Sequence, residues 1–387
     1  MGYPERTQIY EDIESIRDRP LITFVTSPRP NASGRMASDV IPQFMRQLSL
    51  LKDVEEDRVD LMVVSSGGDP TVAWRIITLV REHFDHVSIL LPDIAYSAAT
   101  LLALGADEIQ MHSFANLGPV DPQITYVSRE EDESRRESFA AEDLRHFIEF
   151  VKEDLGISDQ EQMEKTFRYV CEEVGATKIG FARKSTHLMI SMGEKLLKQH
   201  MEDEKEASAI AQELSRSFYH HGYPLSRSEA DEIGLPISDP DEPLRSLMRK
   251  VWRDFEEEMC ATEPFSPMEE VLTSSESDKL LSGIQQFNVP QGINQQQQQQ
   301  VLQAILNQVD SEVVEPVEYS LFQAALESTR AYSRFEQEGR IFAQRLPDSR
   351  IRTNKVPVTQ GWAYETAGSP VNEAHAEQTP EASNGGG

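Results

Sequence analysis

The sequence has few of the residues that cross-link a chain or hold a metal ion. Only two of its 387 residues are cysteines, Cys171 and Cys260, and they lie far apart without the CxxC spacing of a zinc site. There is also no P-loop, no HExxH motif and no GxGxxG after an apolar run. We therefore expect no disulfide framework, no metal, no other cofactor, and a reducing, cytoplasmic location.

Basic residues and long apolar runs are scarce as well. The chain has 37 Lys and Arg against 66 Asp and Glu, which gives a net charge of −29. A chain this acidic is repelled by the phosphates of nucleic acids and by anionic membrane surfaces. No window approaches the roughly 18 apolar residues of a membrane span, and the first residues lack a basic region followed by an apolar core. We expect no nucleic-acid partner, no signal peptide and no stable membrane insertion.

Three apolar runs, at 59–64, 87–92 and 108–111, organise the central part of the sequence. Each has the length and near-continuous apolarity of a strand that is buried on both faces. Segments with helical spacing of apolar residues separate them, at 71–84 and 98–104. This alternation predicts βαβ units and a parallel sheet whose functional loops gather at the carboxyl ends of the strands.

Two of the predicted turns contain residues that suit acyl-transfer chemistry. Gly67 and Gly68 allow a tight turn that points backbone N–H groups outward, as an oxyanion hole requires. Ser97 lies where the second strand turns into a helix, and the Ala98 N–H follows directly. The alternative is structural, because two glycines can simply close a loop and a serine can simply cap a helix. We favour the functional interpretation because both turns follow neighbouring strands.

Three segments carry a family resemblance, namely SSGGDP at 65–70, AYSAATLLALGADEI at 95–109 and LGPVDPQ at 117–123. Together they resemble the serine dehydrogenase proteinase (SDH) family of the ClpP/crotonase superfamily, which is akin to signal peptide peptidase SppA. The resemblance covers residues 20–240 in outline and is strong only over 59–123 and again near 215–236. It implies an α/β fold, a ClpP/crotonase-like spiral of parallel βαβ units with outer helices, and assembly into a homo-oligomer.

The resemblance also implies a catalytic triad in the chain order Ser, Asp, His. On this chain it makes Ser97 the nucleophile, Asp121 the orienting carboxylate and His221 the base, with His220 as the rival base. In such a triad the imidazole takes the hydroxyl proton while the carboxylate holds its tautomer. The structural alternative places Asp121 in a turn and both histidines in a loop before a helix cap.

SppA-like enzymes use a serine–lysine dyad instead. Lys152 stands at a corresponding distance after Ser97 and is the alternative base, although neighbouring carboxylates would raise its pKa unless it is buried. His112 is nearer to Ser97 in sequence, and we interpret it as an ordinary residue of the turn after the third apolar run.

These residues support three functional hypotheses of different classes. The first is a soluble serine endopeptidase that hydrolyses peptide or protein substrates through an acyl-enzyme at Ser97. The second is an interaction scaffold that has the fold without the chemistry. The third and weakest is a crotonase-type acyl-CoA enzyme that applies the same N–H groups to a thioester oxyanion.

Composition changes along the chain predict one large domain and several smaller segments. A charged, solvated insert is expected at 125–140, either as a mobile flap or as a disordered segment. Within the C-terminal part we expect a strand at 313–322 and a helix at 324–345, which offer a site for an adaptor. The full division is a ClpP/crotonase-like protease domain at 1–240, a covering or interface helix at 241–260, a linker and Gln-rich segment at 261–311, a small ordered unit at 312–346 and a mostly disordered tail at 347–387.

Overall fold

The computed structural model describes residues 2–120, 122–130, 133–216, 222–281, 299, 312–346 and 350–366, and for 123–142 it describes the backbone. The helices are α1 Tyr3–Arg17, α2 Ile41–Leu51, α3 Pro70–Arg81, α4 Ala98–Ala103, α5 Ala141–Glu149, α6 Gln160–Glu173, α7 Ala176–Leu197, α8 Glu204–Arg216, α9 Arg227–Glu232, α10 Glu242–Glu258, α11 Pro267–Thr273 and α12 Ser277–Leu281. The strands are β1 Leu21–Thr26, β2 Arg58–Val64, β3 His86–Leu91, β4 Ile94–Ala95, β5 Glu108–Met111, β6 Asn116–Leu117, β7 Gln123–Glu130, β8 Glu133–Ala140, β9 Ile237–Ser238, β10 Glu312–Val313, β11 Val317–Glu327, β12 Ala331–Arg345 and β13 Ile351–Thr366.

A large sheet forms the centre of the molecule, with the strand order β10-β12-β11-β1-β2-β3-β5-β9 and with β13 on the outer side of β12. Strands β1, β2, β3, β5 and β9 are parallel to one another. Helices α2, α3 and α4 lie in the connections between these strands. The predicted α/β fold class is therefore confirmed.

The sheet is buried on both faces, which explains why its strands read as continuous apolar runs. Along β2, Leu61 and Val63 pack into one core with α2, α3, α4, α7 and α8. Met62 and Val64 face the opposite side and pack with α1 and α10. The predicted covering helix at 241–260 thus corresponds to α10, and it covers the second face of the sheet.

The C-terminal part differs from the prediction. The prediction of a helix at 324–345 is wrong, because these residues form the end of β11 and the whole of β12. Strand β11 pairs antiparallel with β1, from Thr23–Glu327 to Thr26–Ala324, so the sheet continues through it. Ala, Glu, Gln and Arg favour helices locally, and pairing with a distant strand overrides that preference.

Other C-terminal segments also form regular structure. Helices α11 and α12 lie where we predicted a linker, and Val271 and Leu280 bury their side chains against Tyr319 and Ile341 of β11 and β12. Strand β13 lies within the segment that we predicted as a tail. The division into domains itself stays a prediction.

The predicted insert at 125–140 forms an antiparallel hairpin. Strands β7 and β8 pair in register from Gln123–Ala140 to Glu130–Glu133. A segment with many charges can therefore form a regular ladder, since the backbone supplies the hydrogen bonds. Ser226 and Glu229 form a capping box that begins α9.

A buried arginine joins the N-terminal helix to the C-terminal strands. The Arg6 side chain is fully buried and donates to both carboxylate oxygens of Glu327, at 2.9 and 2.7 Å. It also pairs with Asp254 and Glu258 of α10, and Tyr10 donates to Glu327 at 2.7 Å. Three elements that are far apart in sequence therefore share one charge cluster.

We predict that Glu327→Ala destabilises the protein by about 3–5 kcal/mol, because it leaves the buried Arg6 without its bidentate partner. Urea unfolding followed by circular dichroism measures this loss. Glu338→Ala, on an exposed position of β12, is the control and should change stability by less than about 0.5 kcal/mol. Equal effects of the two substitutions would contradict the role given to Glu327.

Candidate active site

Ser97 lies in the turn between β4 and α4 and has an unusual backbone conformation. Its φ and ψ angles are 54° and −114°, a region that residues other than glycine rarely adopt. The residue is half-buried, and its side chain accepts no capping hydrogen bond from α4 within the described structure. Strain of this kind concentrates at functional sites, where the surrounding structure holds it in place.

Hydrogen bonds on both sides fix this turn. The Ser65 N–H donates to the Ile94 carbonyl at 2.9 Å, and the Tyr96 N–H donates to the Ser65 carbonyl at 3.0 Å. The Thr100 hydroxyl lies 2.7 Å from the Ala95 carbonyl oxygen and 2.8 Å from that of Gly118. The strained residue is thus held between the end of β2 and the segment after β6.

The turn at Gly67 and Gly68 touches the Ser97 turn directly. Both glycines have positive φ angles, 96° and 155°. A Cβ atom on Gly67 would lie 2.5 Å from the Tyr96 carbonyl oxygen, 3.0 Å from the Ser97 Cβ and 3.1 Å from the Ala98 nitrogen. Only glycine fits there, and this close approach brings the two predicted turns together.

The three N–H groups of the predicted oxyanion hole are not equivalent. The Gly67 N–H donates to the Ser65 hydroxyl oxygen at 3.0 Å. The N–H groups of Gly68 and Ala98 donate to no acceptor within the described part of the chain. Two of the three donors therefore have no acceptor among the described residues, while the third stabilises the turn.

Met36 sets the orientation of the Gly68 peptide. The Met36 N–H donates to the Gly67 carbonyl at 2.9 Å, and the Asp69 N–H donates to the Met36 carbonyl at 2.8 Å. This pairing uses the Gly67 carbonyl and the Asp69 N–H, which lie on either side of Gly68. The Gly68 N–H therefore points away from Met36. Met36 was missed by the sequence analysis, since nothing local indicates that the loop after β1 pairs with the glycine turn.

The remaining triad candidates, Asp121, His220 and His221, lie outside the described residues. The described residues beside them contact one another. The Val120 N–H donates to the Leu214 carbonyl at 2.9 Å, and the Ser215 hydroxyl donates to the Val120 carbonyl at 3.1 Å. The roles of the three residues stay predictions.

A second pairing joins the same two chain segments. Leu117 and Leu225 exchange backbone hydrogen bonds of 3.0 and 2.8 Å, and both side chains are buried. The segment after β6 is therefore fixed against the chain on either side of residues 217–221.

The alternative base candidates lie in different surroundings. Lys152 is exposed in a π-helical turn at Phe150–Asp154 that follows α5. Lysines that act as general bases are usually buried, and the exposed position of Lys152 does not favour that role. His112 is buried after β5, and its Nδ1 lies 3.1 Å from the Phe114 nitrogen, as expected for a turn residue.

Asp93, which the sequence analysis did not single out, is the shifted acid nearest to Ser97 in sequence. Burial raises the pKa of this carboxyl to about 6, while Arg249 lowers it and Glu256 raises it. Burial also raises the pKa of the neighbouring Tyr96 hydroxyl, and Asp93 adds to this effect. A carboxyl with such a pKa changes charge near neutral pH beside the candidate site.

No cluster of three or more His, Cys, Asp or Glu side chains suited to a metal ion occurs among the described residues. Within that part of the chain, no helix combines the length and apolarity that crossing a lipid bilayer requires.

The segment that contains both turns of the candidate site is similar to a known protein family. Residues 43–131 match the family of ClpP-like SDH-type serine proteinases. The resemblance to the SDH family is confirmed over this segment. It begins in α2, ends just after β7 and contains both turns of the candidate site.

Two uncharacterized proteins of Methanocaldococcus jannaschii are similar in sequence. The first is 28% identical over 184 residues, which span 48% of this chain and 53% of the relative. The second is 26% identical over 250 residues, which span 63% of this chain and 77% of the relative. The chain thus covers about half the length of the first relative.

Solved structures with weak similarity include two proteases. A variant of the 1510-N membrane-bound stomatin-specific protease has a TM-score of 0.34 at 14% identity and covers 59% of this chain and 84% of its own. A ClpP1 variant from Listeria monocytogenes has a TM-score of 0.30 at 14% identity and covers 60% of this chain and 98% of its own.

We predict that Gly67→Ala destabilises the protein and abolishes any activity of Ser97. The added Cβ meets the Tyr96 carbonyl, which adds about 1–3 kcal/mol of overpacking to the conformational cost. Gly156→Ala is a matched control, because Gly156 has a φ of 66° and no atom within 4 Å of its Cβ position. Thermal unfolding should show a smaller loss for Gly156→Ala, and equal losses would contradict the close approach.

We also predict that Asp93→Asn stabilises the protein at neutral pH. The folded pKa of about 6 lies above the ordinary value of 3.8, so the protonated carboxyl stabilises the fold below pH 3.8 and this contribution disappears as pH rises through 6. The advantage of the Asn variant in urea unfolding should therefore grow from about pH 4 to about pH 6 and then level off. Exposed Asp53→Asn is the control, and a pH-independent difference for Asp93→Asn would contradict the burial effect.

Proposed function

We propose that the protein is a serine peptidase that forms an acyl-enzyme at Ser97. The observation that carries this proposal is the strained Ser97 turn in contact with the glycine turn, where the N–H groups of Gly68 and Ala98 have no acceptor in the described structure. The match of the same segment to the ClpP-like SDH-type serine proteinases supports the chemistry.

The proposed reaction begins with attack of the Ser97 Oγ on the carbonyl carbon of a peptide bond. The hydroxyl proton passes to a base, and the carbonyl oxygen becomes an oxyanion that accepts hydrogen bonds from Gly68 and Ala98. When the tetrahedral intermediate collapses, the C–N bond breaks and the base returns the proton to the leaving amine. Water then attacks the acyl-enzyme by the same route and releases the acid and Ser97.

We propose His221 as the base and Asp121 as the carboxylate that orients it. Asp121 directly follows Val120, which is hydrogen-bonded to Leu214 and Ser215 near the end of α8. Residues 217–221 directly follow that helix. Val120 and Ser215, which precede the two candidates in the chain, are thus hydrogen-bonded to each other, and this contact supports the proposed pairing.

Further parts of the functional prediction concern the whole protein. A homo-oligomer, a cytoplasmic location and an adaptor site in the C-terminal part follow from the sequence analysis alone and stay predictions. The substrate is proposed to be a peptide or protein, because an oxyanion hole beside an activated serine suits amide and ester carbonyls.

A fluorophosphonate probe tests the proposed nucleophile, since it reacts with activated serines. We expect the purified wild type to be labelled and Ser97→Ala to remain unlabelled. His221→Ala should slow labelling by about 10²–10⁴-fold, the usual contribution of a general base. His220→Ala and Lys152→Ala should label at the wild-type rate.

The other outcomes separate the alternatives. If Lys152→Ala loses labelling and His221→Ala keeps it, the chemistry is that of a Ser–Lys dyad. If the folded wild type shows no labelling and no hydrolysis of peptide libraries, the proposed function is wrong and a scaffold role is favoured. Circular dichroism of each variant distinguishes loss of the base from loss of the fold.

A further inference from the structure

Helix α6 and the first half of α7, residues 160–188, have little buried surface, and together they are called the helical arm below. No residue of α6 is buried, and within the arm only Ala182 and Thr186 of α7 are buried. Helix α6 contacts α7 across a connection of two residues. The second half of α7, from Met189 onward, packs into the core beside α8. The helical arm is therefore attached to the rest of the protein through α7.

The helical arm exposes large apolar side chains. Phe167 and Tyr169 of α6 are 52% and 71% exposed, and Phe181 and Leu188 of α7 are 56% and 44% exposed. Phe181, Lys184 and Leu188 follow one another at spacings of three and four residues, which places them on one face of α7. Several exposed apolar side chains on one small unit are typical of a surface that binds another protein.

Helix α7 is basic, although the chain as a whole has a net charge of −29. The side chains of Arg183, Lys184 and Lys195 are exposed, and none of them forms an ion pair with another described side chain. Within the chain these charges are therefore not compensated by a described neighbour. An acidic surface on a partner would complement them.

Helix α6 has acidic residues at the end that leads to α7. Glu172 and Glu173 occupy its last turn, where the helix dipole disfavours negative charge, and this turn contains no basic residue. Both side chains are exposed and have no ion-pair partner among the described residues. The basic residues of α6 pair with glutamates in its first half instead. The stability of α6 itself thus gives no reason for the two acids at its end.

We infer that the helical arm is an interface between two copies of this chain, in which α6 of each copy packs beside α7 of the other. When two arms meet with their connections at the same end, Glu172 and Glu173 of each copy face the basic residues of the other copy. Arg183 and Lys184 suit this contact, because they lie within about 12 Å of the connection at the helical rise per residue. The interface is isologous, since each arm provides one acidic and one basic helix.

A lipid surface is the other partner that exposed aromatic and basic side chains would suit. The acidic end of α6 lies in the same arm, only two residues before α7 begins, and anionic lipids would repel it. A second copy uses both the acidic and the basic helix. The inference therefore assigns a surface to the predicted homo-oligomer, and it does not depend on the proposed peptidase function.

Charge reversal tests the contact between α6 and α7. The reversed α7 variant is Arg183→Glu with Lys184→Glu, and the reversed α6 variant is Glu172→Lys with Glu173→Lys. Each variant alone places like charges across both contacts, so self-association of the full chain in sedimentation velocity should weaken by about tenfold or more. An equimolar mixture of the two variants should associate as the wild type does, because each helix again meets the opposite charge.

The control is Arg75→Glu with Lys250→Glu, at exposed positions of α3 and α10. It changes the net charge by the same amount as the reversed α7 variant and should leave self-association unchanged. Phe181→Ala with Leu188→Ala should weaken self-association, since it removes the apolar part of the interface. Circular dichroism of each variant shows whether the fold is intact.

The inference is overturned if both reversed variants associate as the wild type does, or if their mixture does not regain association. A wild type that stays monomeric at every concentration tested overturns it as well. Binding of that monomer to phosphatidylserine vesicles would assign the arm to a lipid surface instead. Fluorophosphonate labelling is an independent measurement, and its failure contradicts the role of Ser97 without affecting the interface.

Discussion

The contact between the glycine turn and the Ser97 turn is the constraint on which the candidate site depends. A Cβ on Gly67 would lie 2.5 Å from the Tyr96 carbonyl oxygen, so the two chain segments approach more closely than a side chain at position 67 would allow. Ser65 makes this possible, because its backbone pairs with β4 while its hydroxyl oxygen accepts hydrogen bonds from Thr26 and the Gly67 N–H. Ser65, at the end of β2, thereby joins β4, Thr26 and the glycine turn. The Gly68 N–H takes part in none of these hydrogen bonds.

The C-terminal strands belong to the same architecture. Strand β11 pairs with β1, and its Gln323 carbonyl receives the N–H of the loop that carries Met36. Glu327, at the end of the same strand, pairs with the buried Arg6 of α1. Replacing Glu327 removes the bidentate partner of the buried Arg6, and replacing Arg6 leaves the buried Glu327 carboxylate without its cation, so α1 and β11 stabilise the fold together. The orientation of Gly68 therefore depends indirectly on residues more than half the chain away.

The sequence predicts the parts of the fold that local patterns determine. The runs at 59–64 and 87–92 alternate with helical segments, and parallel strands with short connections follow from that order. The partners of Gly68 could not be predicted, because Met36 belongs to a loop without periodicity. Strand β12 was predicted as a helix because its composition favours helices, and its pairing with distant strands carries no local signal. From the sequence, Asp121 and His221 are identified through the family resemblance alone.

The strain at Ser97 links the fold to the chemistry. A positive φ on a non-glycine residue costs about 1–3 kcal/mol, so it persists only where neighbouring bonds hold it. Thr100 supplies one of these constraints, since its hydroxyl lies within hydrogen-bond distance of two carbonyls that flank the turn. If Ser97 were only a helix cap, its side chain would accept a hydrogen bond from α4, and it accepts none within the described structure. The strain therefore does not serve the helix, and it is consistent with the nucleophile role that we propose for Ser97.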